Sequence, residues 1–293
     1  MKFFDLHCDT LVKSYTKNEN LLNGNLHVNF EKLSKFEKYT GCFAIWIDDK
    51  LTEEESFEFF NKIMKYFSEN KKLKNENTKI ILTLEGSKPI GNDLSRIKYF
   101  KEKGIKVITL TWNGSCRIGD GCYVENSKGL SYFGKSAIEE IEKNKIIIDV
   151  SHASEKLFYD VCEISKNPII ATHSNSKSVC SHVRNLTDDQ FKIILQKNGI
   201  VGINLYKSFL SSNESINLSD IEKHIYKFLS LGGENSICFG TDFDGSDPLE
   251  DVKGVEKIYH LYEYMLSKNY SEFLLKKLFF DNANDFFEKY SII

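Results

Sequence analysis

The run FFDLHCD, residues 3–9, starts apolar and ends on a histidine and an aspartate two positions apart. The same design returns along the chain. IILTLE (80–85) ends on Glu85, IIIDVSH (146–152) on His152, PIIATH (168–173) on His173 and ICFGTD (237–242) on Asp242. Imidazole and carboxylate are the side chains that zinc and neighbouring metals prefer. If the runs are parallel strands of one sheet, these side chains meet at one edge.

Short β-branched runs occur eight times, at residues 3–9, 42–47, 79–85, 107–112, 146–152, 168–174, 199–205 and 236–243. Most are continuously apolar, as in parallel strands covered on both faces. Helical segments lie between them. Capping-box spacing opens three: Thr52 with Glu55, Thr187 with Gln190, and Ser219 with Glu222. Helix stops precede the later strands, at Gly104, Asn144, Asn167, Gly199 and Gly232–Gly233. Two more helical stretches close the chain, near 253–268 and 271–288. Alternating strand and helix imply right-handed crossovers and one parallel sheet. A doubly wound open sheet is the alternative. The (β/α)8 barrel explains better why polar residues sit at the strand ends, since barrel active sites assemble there. No boundary, repeat or linker interrupts the sequence, so residues 1–293 are expected to form a single catalytic barrel.

A net charge of −3 and an isoelectric point near 6.2 give no reason to expect nucleic acid or an anionic membrane. The first apolar run is too short for a signal peptide and Asp5 interrupts it, no run approaches a membrane span, and FFEKYSII (286–293) lacks a lipid-anchor tail. A cytoplasmic protein is the simplest expectation. Seven cysteines lack paired metal spacing. Cys8, Cys42, Cys162 and Cys238 lie in apolar runs and read as core, whereas Cys116 and Cys122 share a loop in which a disulfide is an unfavoured option.

His7 and Asp9 lie on one side of a strand, because side chains alternate every two residues. They read as two ligands for one metal, or as a simple pair at a barrel mouth. Glu85 ends an apolar run and needs a partner, either a cationic side chain or two metal ions, one on each oxygen. His152 and His173 close adjacent strands, which favours metal over two isolated core histidines. The other histidines (His27, His182, His224 and His260) fall in loops or helices and read as surface residues. In GTDFDG, Asp244 reads as a turn residue, and Asp242 has the position of a proton acceptor beside metal-bound water.

These residues carry a wider likeness. Through DLHCDT, TLEG, LTWNGSCRIGDG, GLSYFGKSAI, IDVSHAS, THSNSKSVCSHVRNLTDDQ, GIVGINLY, GTDFDG and NANDFFE, the chain resembles the membrane-dipeptidase (renal dipeptidase) family of zinc metallopeptidases, a branch of the amidohydrolase-like barrels. The resemblance implies two zinc ions: one held by His7, Asp9 and Glu85, the second by Glu85, His152 and His173, with Glu85 bridging. It implies that Arg184 and Tyr206, which otherwise read as a loop salt bridge and a strand-end aromatic, bind the substrate's terminal carboxylate. Asp242 matches the family's acid. One position departs: mammalian members carry a histidine after LT on the fourth strand, where it contacts substrate, and here Trp112 stands there, as in the bacterial branch.

The expected activity is hydrolysis of dipeptides, and the family it resembles includes members that accept a D-residue at the C-terminal position. A two-metal-activated hydroxide attacks the carbonyl and Asp242 moves the proton. The alternatives are another amide or lactone hydrolase on the same barrel, or a zinc-binding homologue without turnover. Oligomeric state stays open: family members are often dimers, and 13% aromatic residues permit the interface of a homodimer.

Overall fold

Eight parallel strands run in sequence order around a ring: β1 (Lys2–Cys8), β2 (Lys38–Trp46), β3 (Thr78–Glu85), β4 (Ile105–Thr109), β5 (Ile147–Asp149), β6 (Ile169–Ile170), β7 (Val201–Ile203) and β8 (Ile237–Phe239). The computed structural model describes residues 1–290, so the last three positions of the expected 1–293 span and of its FFEKYSII tail lie outside the described residues. Ladder pairing links β6 through β1 to β8 and β7, and a parallel bridge between Ala171 and Val201 closes the ring. Ala171 N donates to Ile200 O at 3.0 Å and Gly202 N to Ala171 O at 2.8 Å across that seam. The architecture is the (β/α)8 barrel.

Close approach makes the seam possible. A Cβ on Gly202 would stand 2.0 Å from the Thr172 carbonyl oxygen and one on Gly240 1.7 Å from it, so only glycine lets three strand ends converge there.

Two apolar layers hold the barrel. Phe4, Cys42, Ile81, Val107, Ile147, Ile170 and Cys238, one from nearly every strand, pack with Phe280 and Phe287 of the closing helices. That plugs the end of the barrel opposite the polar strand ends. The larger layer lies between strands and helices and includes Cys8, as the alternation argument expects.

Several local expectations shift. Strands β4 to β8 end earlier than the apolar runs, so Trp112, His152, His173 and Asp242 lie beyond the ladder. Their backbone turns away to aim side chains inward, and His152 (φ 67°) and Asp242 (φ 61°) do so in the left-handed region. The helix Leu218–Ser230 is capped by Asn217 with Asp220, not by Ser219 with Glu222, because Asn217 is the last extended residue before the helix. The final helical stretch passes through a π-helical segment at Lys277–Asp281. Cys116 and Cys122 are free thiols, and Cys162 is only half-buried.

His224 corrects the surface reading outright: it is fully buried. Its Nδ1 accepts from Ser176 N at 3.1 Å and its Nε2 donates to Leu210 O at 2.9 Å, so a neutral ring is satisfied at both nitrogens. Asp244 is more than a turn residue. It accepts from the Thr10 hydroxyl and from the backbone of His27, both at 2.7 Å, and ties two loops to the barrel rim.

Candidate metal centre

The structure brings His7, Asp9, Glu85, His152, His173 and Asp242 to one cluster at the rim, buried except for the partly exposed Asp242. His7 Nε2 lies 3.4 Å from Asp9 Oδ2 and 3.4 Å from Glu85 Oε2. The other Glu85 oxygen lies 3.0 Å from His152 Nε2 and 3.7 Å from His173 Nε2. Glu85 therefore divides its two oxygens between two groups of side chains. His7, Asp9 and Asp242 form a further set whose ligand atoms lie within 4.8 Å of one another.

The proton positions decide what this cluster can hold. Asp149 Oδ2 accepts from the Thr172 hydroxyl at 2.6 Å, so the Thr172 oxygen accepts in turn from His173 Nδ1 at 2.8 Å. Asn113 Oδ1 can only accept, and it meets His152 Nδ1 at 2.8 Å. Both imidazoles thus carry their proton on Nδ1 and present a lone pair on Nε2. Those two Nε2 atoms face each other at 2.8 Å, with a Glu85 oxygen beside them. Three lone-pair donors in contact, with no proton to share, repel unless a cation sits among them. In the neighbouring group His7 Nε2 and Asp9 Oδ1 are buried without a hydrogen-bond partner. Buried orphans of this kind call for a ligand atom. The donor set fits divalent metal.

Electrostatics agree with that division. Burial alone would lower His7, but the Glu85 and Asp9 carboxylates hold it well above the usual histidine range. Burial and the Arg184 charge push His152 down to about 4, and burial with the nearby His7 holds His173 well below the usual histidine range. Burial would raise Glu85, yet the surrounding imidazoles hold it below the normal carboxylate range. Asp242 is pushed up to about 7 by burial and by Asp9 beside it.

The loop around Asp242 presses on the cluster. A Cβ on Gly245 would lie 2.0 Å from Asp9 Oδ2 and 2.7 Å from Asp242 Oδ1, so only a bare backbone fits against the two carboxylates.

A cleft of about 830 Å³ opens over the cluster, and Arg184, Tyr206 and Trp112 line it. Arg184 is buried, donates from Nη2 to His173 O at 3.3 Å and keeps Nε without a partner. Trp112 stacks edge-on against Trp46 at 4.9 Å.

Sequence reasoning missed Asn113, Asn204 and Trp46. Asn204 donates to Asp242 Oδ2 at 3.1 Å, and Asn113 fixes His152. Both asparagines stand inside motifs already singled out, LTWNG and GINLY, directly beside Trp112 and two residues before Tyr206. A search for polar neighbours of the ligands would have found them. Trp46 carried no such signal.

Comparison with known proteins gives the cluster its context. The family model for membrane dipeptidases, peptidase family M19, matches residues 1–289. An uncharacterized protein in the pqqA 5' region of Klebsiella pneumoniae is 30% identical over 216 residues, covering 69% of this chain and 79% of that one. A metallopeptidase from Rhodobacter sphaeroides, liganded with a phosphinate mimic of the dipeptide L-Ala-D-Ala, superposes with a TM-score of 0.87 at 22% identity, covering 100% of this chain and 98% of that one. The crystal structure of the dipeptidase AC, a metallopeptidase of family M19, gives 0.89 at 22% identity, covering 100% of this chain and 97% of that one. Among the described residues no helix is long and apolar enough to cross a membrane. The chain belongs to the membrane dipeptidase family, peptidase family M19, and is a metal-dependent peptide-bond hydrolase.

Proposed function

We propose that this protein is a two-zinc dipeptidase whose residues 1–293 form one catalytic unit. The observation that carries the reading is the pair of facing lone pairs on His152 Nε2 and His173 Nε2, 2.8 Å apart, beside a carboxylate that also reaches His7. In this reading His7, Asp9 and Glu85 hold one zinc, Glu85, His152 and His173 hold the other, and Glu85 bridges. Bound zinc supplies Lewis acidity toward the peptide carbonyl and a nucleophilic water near neutral pH.

The chain's own residues do the rest. Asp242, held by Asn204, takes a proton from the attacking water and returns it to the leaving amine. Arg184 offers a planar fork, one arm already fixed on His173 O, to the C-terminal carboxylate of the substrate. Tyr206 supports that carboxylate, and Trp112 with Trp46 walls the cleft where mammalian members have a histidine.

The Rhodobacter sphaeroides protein holds a mimic of an L,D-dipeptide, so both isomers belong in the test. Zinc-loaded protein is assayed on matched L,L and L,D dipeptides with a chelated control, and its zinc is counted. Two zincs per chain and chelator-sensitive cleavage are expected. No cleavage with two zincs bound would reject the substrate class, and a single zinc would reject the Glu85 bridge.

A further inference from the structure

The cleft is chemically lopsided. Where its wall continues from the helix after β1 (Thr10–Lys17) and the loop after β8, it carries Lys13, Asp247 and Lys253. Around Arg184 it is aromatic instead. Phe209 lies 5.4 Å from the Arg184 guanidinium, Tyr206 meets Phe209 edge-on at 4.8 Å, and His182 backs Phe209 at 4.6 Å. Tyr123 hangs over the same side, 54% exposed and with its hydroxyl free of any hydrogen bond among the described residues. A large aromatic left uncovered at a cleft mouth is apolar area waiting for an occupant.

From this geometry we infer that the substrate's C-terminal residue carries a large apolar or aromatic side chain, seated against Phe209 and Tyr123. The inference rests on the dipeptidase reading above, and in particular on Arg184 holding the C-terminal carboxylate. In an amino acid the Cβ is only two bonds from the carboxylate carbon. A residue pinned by Arg184 must therefore send its side chain into the immediate neighbourhood of that guanidinium, which is the aromatic wall. A cationic side chain there would face Arg184 at close range with no compensating carboxylate. An acidic one would compete with the main-chain carboxylate for the same fork. Burying an apolar side chain removes area from water on both partners and meets no unpaired charge.

The test is a series of dipeptides with alanine first and phenylalanine, leucine, glycine, aspartate or lysine second, in L and D forms, cleaved by the zinc-loaded protein. The phenylalanine and leucine members should exceed the glycine member in kcat/KM by about tenfold or more, a size typical of filling an apolar pocket. Tyr123→Ala, on an exposed side chain, and Phe209→Leu, which keeps the packing beneath, should each shrink the phenylalanine-to-glycine ratio, chiefly through KM. A flat series, a preference for aspartate or lysine, or a ratio untouched by both substitutions overturns the inference and leaves the dipeptidase reading standing. Failure to cleave any member overturns both together.

Discussion

The two halves of the rim cluster are built differently. On the β5–β6 side each histidine is held from behind by the chain: Asn113 fixes His152, and Thr172, itself fixed by Asp149, fixes His173. On the β8–β1 side His7 Nε2 and Asp9 Oδ1 have no partner, and Asp242 sits on a left-handed backbone with its carboxyl raised to about 7. The first half is preorganised before any ion arrives. The second is left short of partners, and backbone strain does not separate the two, since His152 (φ 67°) is as left-handed as Asp242 (φ 61°). One half holds; the other is free to react.

The sharpest way to break that contrast is Asp242→Asn. If Asp242 belongs to the reacting half, kcat should fall by roughly 10²–10⁴-fold, the range for loss of a positioned proton carrier, while zinc content stays at the wild-type level. Loss of zinc in parallel with activity would put Asp242 among the holding residues instead. Metal analysis of the purified variant beside its turnover rate decides.

A smaller effect tests the holding half through two aspartates that look alike. Asp149 and Asp5 are both fully buried, and each accepts from a threonine hydroxyl at 2.6 Å and from that threonine's backbone N–H. Behind Asp5 the Thr241 hydroxyl can turn toward His7 O at 3.5 Å, so an amide at position 5 leaves every group paired. Behind Asp149 the Thr172 hydroxyl can turn only toward His173 Nδ1 or the Ser151 hydroxyl. An amide at 149 would donate to Thr172 and reverse its hydroxyl onto the nearer acceptor, His173 Nδ1 at 2.8 Å rather than Ser151 at 3.3 Å, which moves the imidazole proton to Nε2. Asp149→Asn should therefore weaken zinc binding by roughly 10–100-fold, as loss of a residue behind a ligand commonly does, with activity restored by excess zinc. Asp5→Asn should leave the zinc affinity near wild type. Asn113→Ala, which frees the other imidazole, should fall between them, and Asn113→Asp should recover most of the loss. Competition against a chromogenic chelator reads all four. Equal losses at Asp5 and Asp149 would mean the tautomer argument is wrong.

The sequence announced the barrel because eight apolar runs, each bounded by helix signals, leave few topologies open, and because the polar residues end those runs. It announced the ligands for the same reason: burying His7 or Glu85 beside apolar strands is costly unless something pairs with them. Other features depend on contacts far apart in the chain and could not be read. Thr172 becomes informative only once Asp149 lies against it across the β5–β6 seam, and Asn113 only once its loop returns to His152. The apolar runs extend past the strand ends because Trp112, Val150 and Thr172 continue an apolar or β-branched pattern after the ladder has stopped. His224 was misread because one histidine on an otherwise amphipathic helix gives no local sign of which face it occupies.

That buried histidine supplies the smallest and most specific test. His224 lies outside the ion cluster, but it pins the Ser176 backbone in the loop that runs from His173 to Arg184, so it braces the holding half from behind. Burial pushes its imidazole down to about 4, against an unfolded value near 6.5. A base with a depressed folded value binds fewer protons folded than unfolded, so its contribution is complete above the unfolded value and is lost as pH falls toward the folded one. Between pH 7 and pH 6 the loss comes to about 0.7 kcal/mol, growing to about 3 kcal/mol by pH 4. His224→Gln keeps a donor for Leu210 O and an acceptor for Ser176 N but cannot take up the proton. Urea midpoints of the zinc-loaded protein and the variant, each at pH 7 and pH 6, give a difference of differences in which the shared titration of the ion cluster cancels. The variant should lose less stability than the wild type over that step. Parallel losses would mean that His224 can reach water and protonate in place, and the loop carrying Arg184 would then be looser than the holding half of the rim requires.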